Sequence, residues 1–208
     1  SDSAKPIALS EGSKRILADA VRQRQTPLHT LVIGMGSFND KIELNIENEE
    51  LRLDNKGLDP CDLDLITGWI WHQSTINKHR TVNALRKLVI SANPNVVGHE
   101  TTRKRDAHIT HWEAFCGALS ISKIYEFSCA DIGMGPKATA ILAKILADGT
   151  EYSKTLQTLD IRDNRIGDHG RMALAAALYV EGHTVEPTKL SSLRLSLESG
   201  GTLELEIN

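Results

Sequence analysis

Five residues constrain what this chain can fold into. Leu156, Leu159, Ile161, Asn164 and Ile166 fall at relative positions 1, 4, 6, 9 and 11 of one short stretch. Leu159 and Ile161 alternate as one face of a short strand, Asn164 is placed to bond the backbone of the following turn, and Gly167 lets the chain bend away. Asp168 then stands as the cap of a helix on which Met172, Leu174, Ala175 and Leu178 recur at helical spacing. A strand, turn and helix this short cannot bury their apolar face alone, so they must stack on further units of the same kind.

The same spacing recurs along the chain. Ser10 opens a helix with Ile16, Leu17, Ala20 and Val21 on one face and Pro27 as its stop, followed by Leu28, Leu31 and Ile33 at positions 1, 4 and 6. Ile42, Leu44 and Ile46 alternate as an inserted strand, read as a hairpin. Leu51, Leu53 and Leu58 occupy positions 4, 6 and 11 of the next unit. There Asp59 followed by Pro60 is a helix start whose Leu63, Ile66 and Ile70 face the sheet. A polar loop is expected from His72 to Asn83. Leu85, Leu88, Ile90 and Asn93 repeat the pattern, and Thr110 to Glu113 has the form of a capping box before a helix with Phe115, Ala118 and Leu119. The next unit fits if Tyr125 and Phe127 take positions 4 and 6, with Ile132 at 11, and its helix starts near Pro136 and buries Ile141, Leu142 and Ile145. Last come Leu190, Leu193 and Leu195, then Ser-Gly-Gly and the alternating Leu203, Leu205 and Ile207. That is a hairpin carrying Glu198, Glu204 and Glu206, suited to closing an open sheet edge. Position 4 thus recurs at Leu31, Leu51, Leu88, Tyr125, Leu159 and Leu193, the last four steps being 37, 37, 34 and 34 residues. The extra length is assigned to loops at 72–84, 98–109 and 147–155.

With its small, Ala-rich helix and its Asn-x-Ile-Gly turn, the 156–178 stretch resembles the ribonuclease-inhibitor-like class of leucine-rich repeats. The expected fold is α/β. It is a leucine-rich repeat solenoid, a right-handed β-α superhelix with a parallel inner sheet, outer helices and a C-terminal capping hairpin. It takes residues 1–208 as a single domain, with repeats over about 9–197 and the cap over 198–208. Helical periodicity between the strands supports parallel strands inside and helices outside. An open doubly wound sheet would need a phosphate-binding glycine loop that this chain lacks.

Composition narrows the function. A formal net charge of -3 lacks the electrostatic footprint of a general nucleic-acid or anionic-membrane binder. No apolar run approaches the roughly 18 residues of a membrane span, and the opening SDSAKP lacks a signal-peptide pattern. Cys61, Cys116 and Cys129 have no metal-ligand spacing, which favours a reducing, cytoplasmic home.

Candidate site residues follow from the repeat. Positions 2, 3, 5, 7 and 8 point away from the core. Position 5 holds Val32, Arg52, Val89, Glu126, Asp160 and Arg194, with Asp54, Arg86, Lys87, Arg162 and Asp163 close by. Arginine-rich faces of mixed sign suit specific protein partners. The bland reading is that these charges pair across strands and keep an exposed sheet soluble. A second candidate is Arg103, Lys104 and Arg105, flanked by His99, His108 and His111: a grip for an acidic partner or phosphate, or a solvated loop. His108 and His111 are three apart, the spacing at which two imidazoles could share a metal, but no third ligand is identifiable. Trp69, Trp71 and Trp112 read as packing residues. No nucleophile elbow, P-loop, H-E-x-x-H or C-x-x-C is present.

The resemblance implies a non-catalytic interaction module or scaffold, without cofactor or metal, binding a protein partner through the concave strand face. Members of the class inhibit enzymes, sense ligands, scaffold assemblies or cap actin. The alternative it implies is a regulator of a small GTPase or other enzyme acting through the repeat rim, although the acidic tails of such activators are missing. A metal-dependent enzyme using His108 and His111 ranks last.

Overall fold

In the computed structural model, residues 9–24, 28–34, 41–76, 85–147, 149–178, 189–196 and 201–207 are described. The first helix, α1 (Glu11–Gln23), is capped by Ser10, whose Oγ accepts from the Ser13 N–H at 3.2 Å. Its inner face is rotated from the expected one, keeping Val21 buried and Leu17 partly buried but not Ile16 or Ala20. Lys14, Ala18 and Val21 are buried, whereas Ile16 is 72% exposed and Ala20 is exposed too. The rotation follows from what α1 packs on, the long helix α2 (Pro60–Ile76). Lys14 Nζ lies 2.8 Å from Asp59 and 2.6 Å from Asp62, and a Cβ on Gly68 would come within 2.7 Å of the Ala18 carbonyl oxygen. Only a small residue fits that crossing. Pro27 lies outside the described residues.

Strands β1 (Thr30–Gly34) and β2 (Lys41–Asn45) pair antiparallel in a sheet of their own, Leu31 opposite Leu44 and Ile33 opposite Ile42. The inserted strand is therefore one arm of a hairpin. Its partner is the segment expected to start the repeat sheet, so Leu31 does not stack there and is only half-buried. Locally the two pairings look alike; the neighbouring strand in sequence wins Leu31, and Ile33, Ile42 and Leu44 bury themselves on it.

The main sheet runs β3 (Glu50–Arg52), β4 (Lys87–Val89), β5 (Glu126–Ser128), β6 (Thr158–Asp160), β7 (Ser192–Ser196) and β8 (Thr202–Glu206), in sequence order. The first five are parallel, and β8 turns back antiparallel on β7. One ladder stacks Leu51, Leu88, Phe127, Leu159, Leu193 and Leu205. Phe127 thus holds position 4, which the sequence reading gave to Tyr125. Ile124 and Cys129 fill positions 1 and 6 and are buried, while Tyr125 is half-buried beneath the Arg86 guanidinium, 5.4 Å from its ring centre. A shift of two residues preserves the inside-outside alternation, so the pleat could not distinguish the registers. Ile132 accordingly moves from position 11 to position 9. Beyond the strands the backbone ladder continues: the N–H groups of Leu53, Ile90, Cys129 and Ile161 donate to Val89, Ser128, Asp160 and Arg194 of the next unit at 2.8–3.0 Å. Four residues after the ladder residue, each turn takes a left-handed backbone, at Asn55, Ala92, Asp131 and Asp163 (φ 54, 56, 49 and 58°).

Between the strands lie α2, α3 (Ile109–Ser120), α4 (Pro136–Ala147), α5 (Glu151–Thr155) and α6 (Gly167–Leu178). Asp59 and Asp62 cap α2 reciprocally, Asp62 N–H to Asp59 Oδ1 at 2.8 Å and Asp59 N–H to Asp62 Oδ2 at 3.1 Å. The helix runs on through His72, expected to open a polar loop. Instead His72 is 1% exposed and its Nε2 accepts the Leu28 N–H at 3.1 Å. The expected box at Thr110 is not used: α3 already begins at Ile109, with His108 at the cap position and no side-chain bond there. The loop assigned to 147–155 contains α5, capped by Thr150. In α6, Asp168 sits within the first turn and pairs with Arg171 at 3.1 Å. Met172 is 71% exposed, because Gly170, Leu174 and Ala177 form the buried face. A Cβ on Gly170 would meet Thr139 of α4 at 3.0 Å, so the two helices approach closely there. Trp112, Phe115, Phe127 and Tyr152 form an aromatic chain through the core, with ring centres 5.4, 6.0 and 6.5 Å apart. Among the described residues no helix is long and apolar enough to cross a membrane.

Candidate interaction face of the sheet

Because strand side chains alternate, positions 3 and 5 of every unit lie on the face opposite the core. The register makes two ladders there. Position 3 holds Glu50, Lys87, Glu126, Thr158, Ser192 and Glu206; position 5 holds Arg52, Val89, Ser128, Asp160, Arg194 and Glu204. Glu126 is therefore on the predicted face but one ladder over, and Ser128 takes its place. Glu50 and Glu204 belong to the face and were missed. The alternation around Leu51 and Leu205 was the signal that could have found them.

The charges are matched strand to strand. Lys87 Nζ stands 3.2 Å from Glu126 and 3.6 Å from Glu50, and the bond to Glu126, with the charges of both carboxylates, raises its pKa above the usual lysine value. Arg52 pairs with Glu50 at 3.0 Å and Asp54 at 3.4 Å, and Arg194 with Glu204 at 2.9 Å. Arg162 clamps Asp160 with two bonds, Nε to Oδ1 at 2.9 Å and Nη2 to Oδ2 at 2.7 Å, which keeps the guanidinium firmly charged. Under that clamp Asp160 is buried, and Val89 is buried as well, so neither is presented to solvent as expected. Asp163 is exposed and fixed by Ser196, whose Oγ accepts from the Asp163 N–H at 2.7 Å and donates to Oδ1 at 3.0 Å. Arg86 is exposed over Tyr125. What remains accessible is a flat field of paired ions in which Arg52, Glu126, Glu204 and Glu50 keep roughly half their side-chain surface in solvent.

The 98–109 segment exposes residues 99–104, Arg103 and Lys104 among them, but is tied to the fold beyond them. Asp106, which no spacing singled out, caps α4 from thirty residues away in the chain: Oδ1 accepts from the Gly135 N–H at 2.7 Å and the Ala138 N–H at 3.2 Å, and Oδ2 from the Lys137 N–H at 2.9 Å. Of the histidines, His99 and His108 have ring centres 6.3 Å apart, His108 and His111 6.4 Å, and His111 Nδ1 lies 2.9 Å from Asp64. Among the described residues no group of three or more histidine, cysteine, aspartate or glutamate side chains could hold a metal ion. Burial pushes the Cys116 and Cys129 thiols well up, and Cys61 is half-buried. Trp69 and Trp112 are buried; Trp71 carries the Arg22 guanidinium 4.3 Å above its ring.

The strand–turn–helix built around Asn164 is a leucine-rich repeat: the family model for the leucine-rich repeat matches residues 152–175, from α5 through β6 into α6. No curated protein matches the chain. Leucine-rich repeats are in general protein-interaction modules, and this one contributes Asp160, Arg162 and Asp163 to the sheet face.

Proposed function

We propose that the chain is a non-catalytic interaction module, a leucine-rich repeat solenoid of the ribonuclease-inhibitor-like kind that holds a protein partner on the exposed face of its main sheet. The observation that carries this reading is the register itself, which sets six strands side by side so that the position 3 and 5 side chains other than Val89 and Asp160 reach solvent on one face. At about 4.8 Å per strand the face spans about 24 Å across strands only about 10 Å long, so an interface of about 800 Å² on one partner would take in the flanking turns as well. Ion pairing within the face favours selectivity, since a partner must match a fixed pattern of signs rather than a blanket charge. A reducing compartment such as the cytoplasm suits the three free cysteines.

The test is affinity capture from the native cell by the wild type and by R52E/R194E, with quantitative mass spectrometry. Each substitution sets a glutamate beside the existing Glu50 or Glu204 on the exposed face, which should cost the fold no more than about 1 kcal/mol. Reversing two interfacial charges about 19 Å apart should cost several kcal/mol of binding. Loss of the captured partner is expected, with the melting temperature lowered by no more than about 4 °C. An unchanged partner set at equal recovery would overturn the reading.

A further inference from the structure

Arg52, Lys87, Arg162 and Arg194 of the sheet face are paired with neighbouring carboxylates, but among the described residues the cations of the 98–109 segment are not. Arg103, Lys104, Arg105 and Arg165 line one cleft of about 260 Å³, and among the described residues none of their side chains has a carboxylate within 4.0 Å. Two of them come from parts of the chain sixty residues apart, so their meeting is a product of the fold and not of a basic run. Glu100 and Asp131 also line the cleft without pairing to them, leaving an excess of positive charge. Arg105, one of the lining residues, also has an enclosed Nε–H with no acceptor among the described residues, a polar group that folding has left unsatisfied.

The cleft is held in shape before any ligand arrives. Asp106 pins the segment to the start of α4. The Val97 and Gly98 N–H groups donate to the Ile132 carbonyl at 3.0 and 3.3 Å, and the Asp106 N–H donates to Gly133 at 3.3 Å. The two strands of backbone touch at glycines: a Cβ on Gly98 would lie 2.8 Å from the Gly133 Cα, and Gly133 itself has a φ of +78°. Pro94, Asp131 and Arg165 lie on the turns after β4, β5 and β6, so the cleft opens beyond the carboxyl ends of three parallel strands, away from the sheet face.

We propose that this cleft is a binding site for a phosphate monoester, carried by a phosphorylated serine or threonine of a protein. Converging guanidinium groups suit the tetrahedral dianion, which accepts paired hydrogen bonds and carries close to two charges near neutral pH. The volume is below the about 300–1,000 Å³ of typical small-molecule sites, which fits a phosphate and its nearest atoms better than a whole nucleotide. A nucleic-acid strand would need stacking aromatics along an extended basic groove, and a membrane would need apolar residues at the rim; the lining offers neither.

The experiment titrates the full chain with a short phosphoserine peptide, its unphosphorylated form, a glutamate-substituted form and inorganic phosphate, read by calorimetry and amide NMR shifts. Saturable binding of the phosphopeptide is expected, with shifts at Gly98, Arg105 and Arg165, and weakening by about tenfold or more in R105Q/R165Q. Since Arg105 packs against Gly135, R103Q/K104Q/R165Q provides a second variant confined to exposed side chains and should weaken binding likewise. Inorganic phosphate binding as tightly as the phosphopeptide would overturn the assignment to a phosphorylated protein side chain and leave a site for the free ion. Equal affinity for the glutamate peptide, equal affinity in both variants, or no saturable binding would overturn the proposal. R52E/R194E should bind the phosphopeptide as the wild type does, so the cleft and the sheet face stand or fall separately.

Discussion

Asn93 and Asn164 each tie two turns together with a single side chain. Asn93 Oδ1 accepts from Lys56 and Leu58 N–H at 3.1 and 3.0 Å, while its Nδ2 donates to the carbonyls of Leu53, Ile90 and Ser91. Asn164 repeats this on the Ile132 and Met134 N–H groups and the Cys129, Ile161 and Arg162 carbonyls. In both cases the amide serves its own turn and the one before, so the units without it, carrying Lys56 and Ile132 at position 9, are stapled by their successors. Alanine at either site leaves enclosed backbone groups unpaired. We expect N93A and N164A each to lower stability by about 1–3 kcal/mol in urea denaturation, N93A the more because Asn93 is fully buried. An unchanged midpoint would mean that these bonds do not hold the turns. This role was legible in the sequence because position 9 has a fixed offset from the strand. Asp106 was not, since a cap supplied from another segment has no offset to read.

At the scale of elements, β5, the third strand of the main sheet, shows what alternation can and cannot decide. Tyr125 and Phe127 have the same parity, so either could face the core, and the choice rests on which neighbours exist at positions 1 and 6. With Phe127 in the ladder, Ile124 and Cys129 are enclosed and the ring joins Phe115 and Tyr152. The prediction separates the registers directly. F127A should cost about 3–5 kcal/mol in equilibrium unfolding. Y125A, at a half-exposed site, should cost about 1 kcal/mol or less, mainly through the lost stack with Arg86. Comparable losses from both would put the assigned register in error. From β3 to β7, by contrast, strand order and parallel direction were legible, because each strand–helix pair returns the chain to the next place in the sheet, whereas the strand of Leu31, expected first in that sheet, pairs with β2 instead.

Across the whole molecule, the N-terminal hairpin and the 98–109 segment are the parts whose placement no repeat arithmetic could yield, and each is joined to the repeat framework near a histidine. His72 of α2 accepts the Leu28 N–H ahead of β1, and the His108 N–H donates to Val97 at 2.9 Å where the segment meets α3. Burial lowers the pKa of His72 below the usual histidine value, assisted by the Arg24 charge; burial lowers that of His108 too, assisted by His111, His99 and Lys104. A depressed folded-state pKa means that the unfolded chain binds the proton more tightly. Stability from both groups is therefore fully present above pH ~6.5 and is lost as the pH falls through the folded-state values. For His72 the loss is also mechanical, because the protonated ring has no lone pair left to accept from Leu28. We expect the denaturation midpoint to fall on acidification below pH ~6.5, and H72Q, whose amide oxygen can still accept, to lower the neutral-pH midpoint while flattening part of that fall. Hydrogen exchange should show the Leu28 amide losing protection in the same interval in the wild type. A midpoint that stays level down to the range where carboxylates titrate, or an H72Q profile parallel to the wild type, would sever the link between His72 and the attachment of the hairpin.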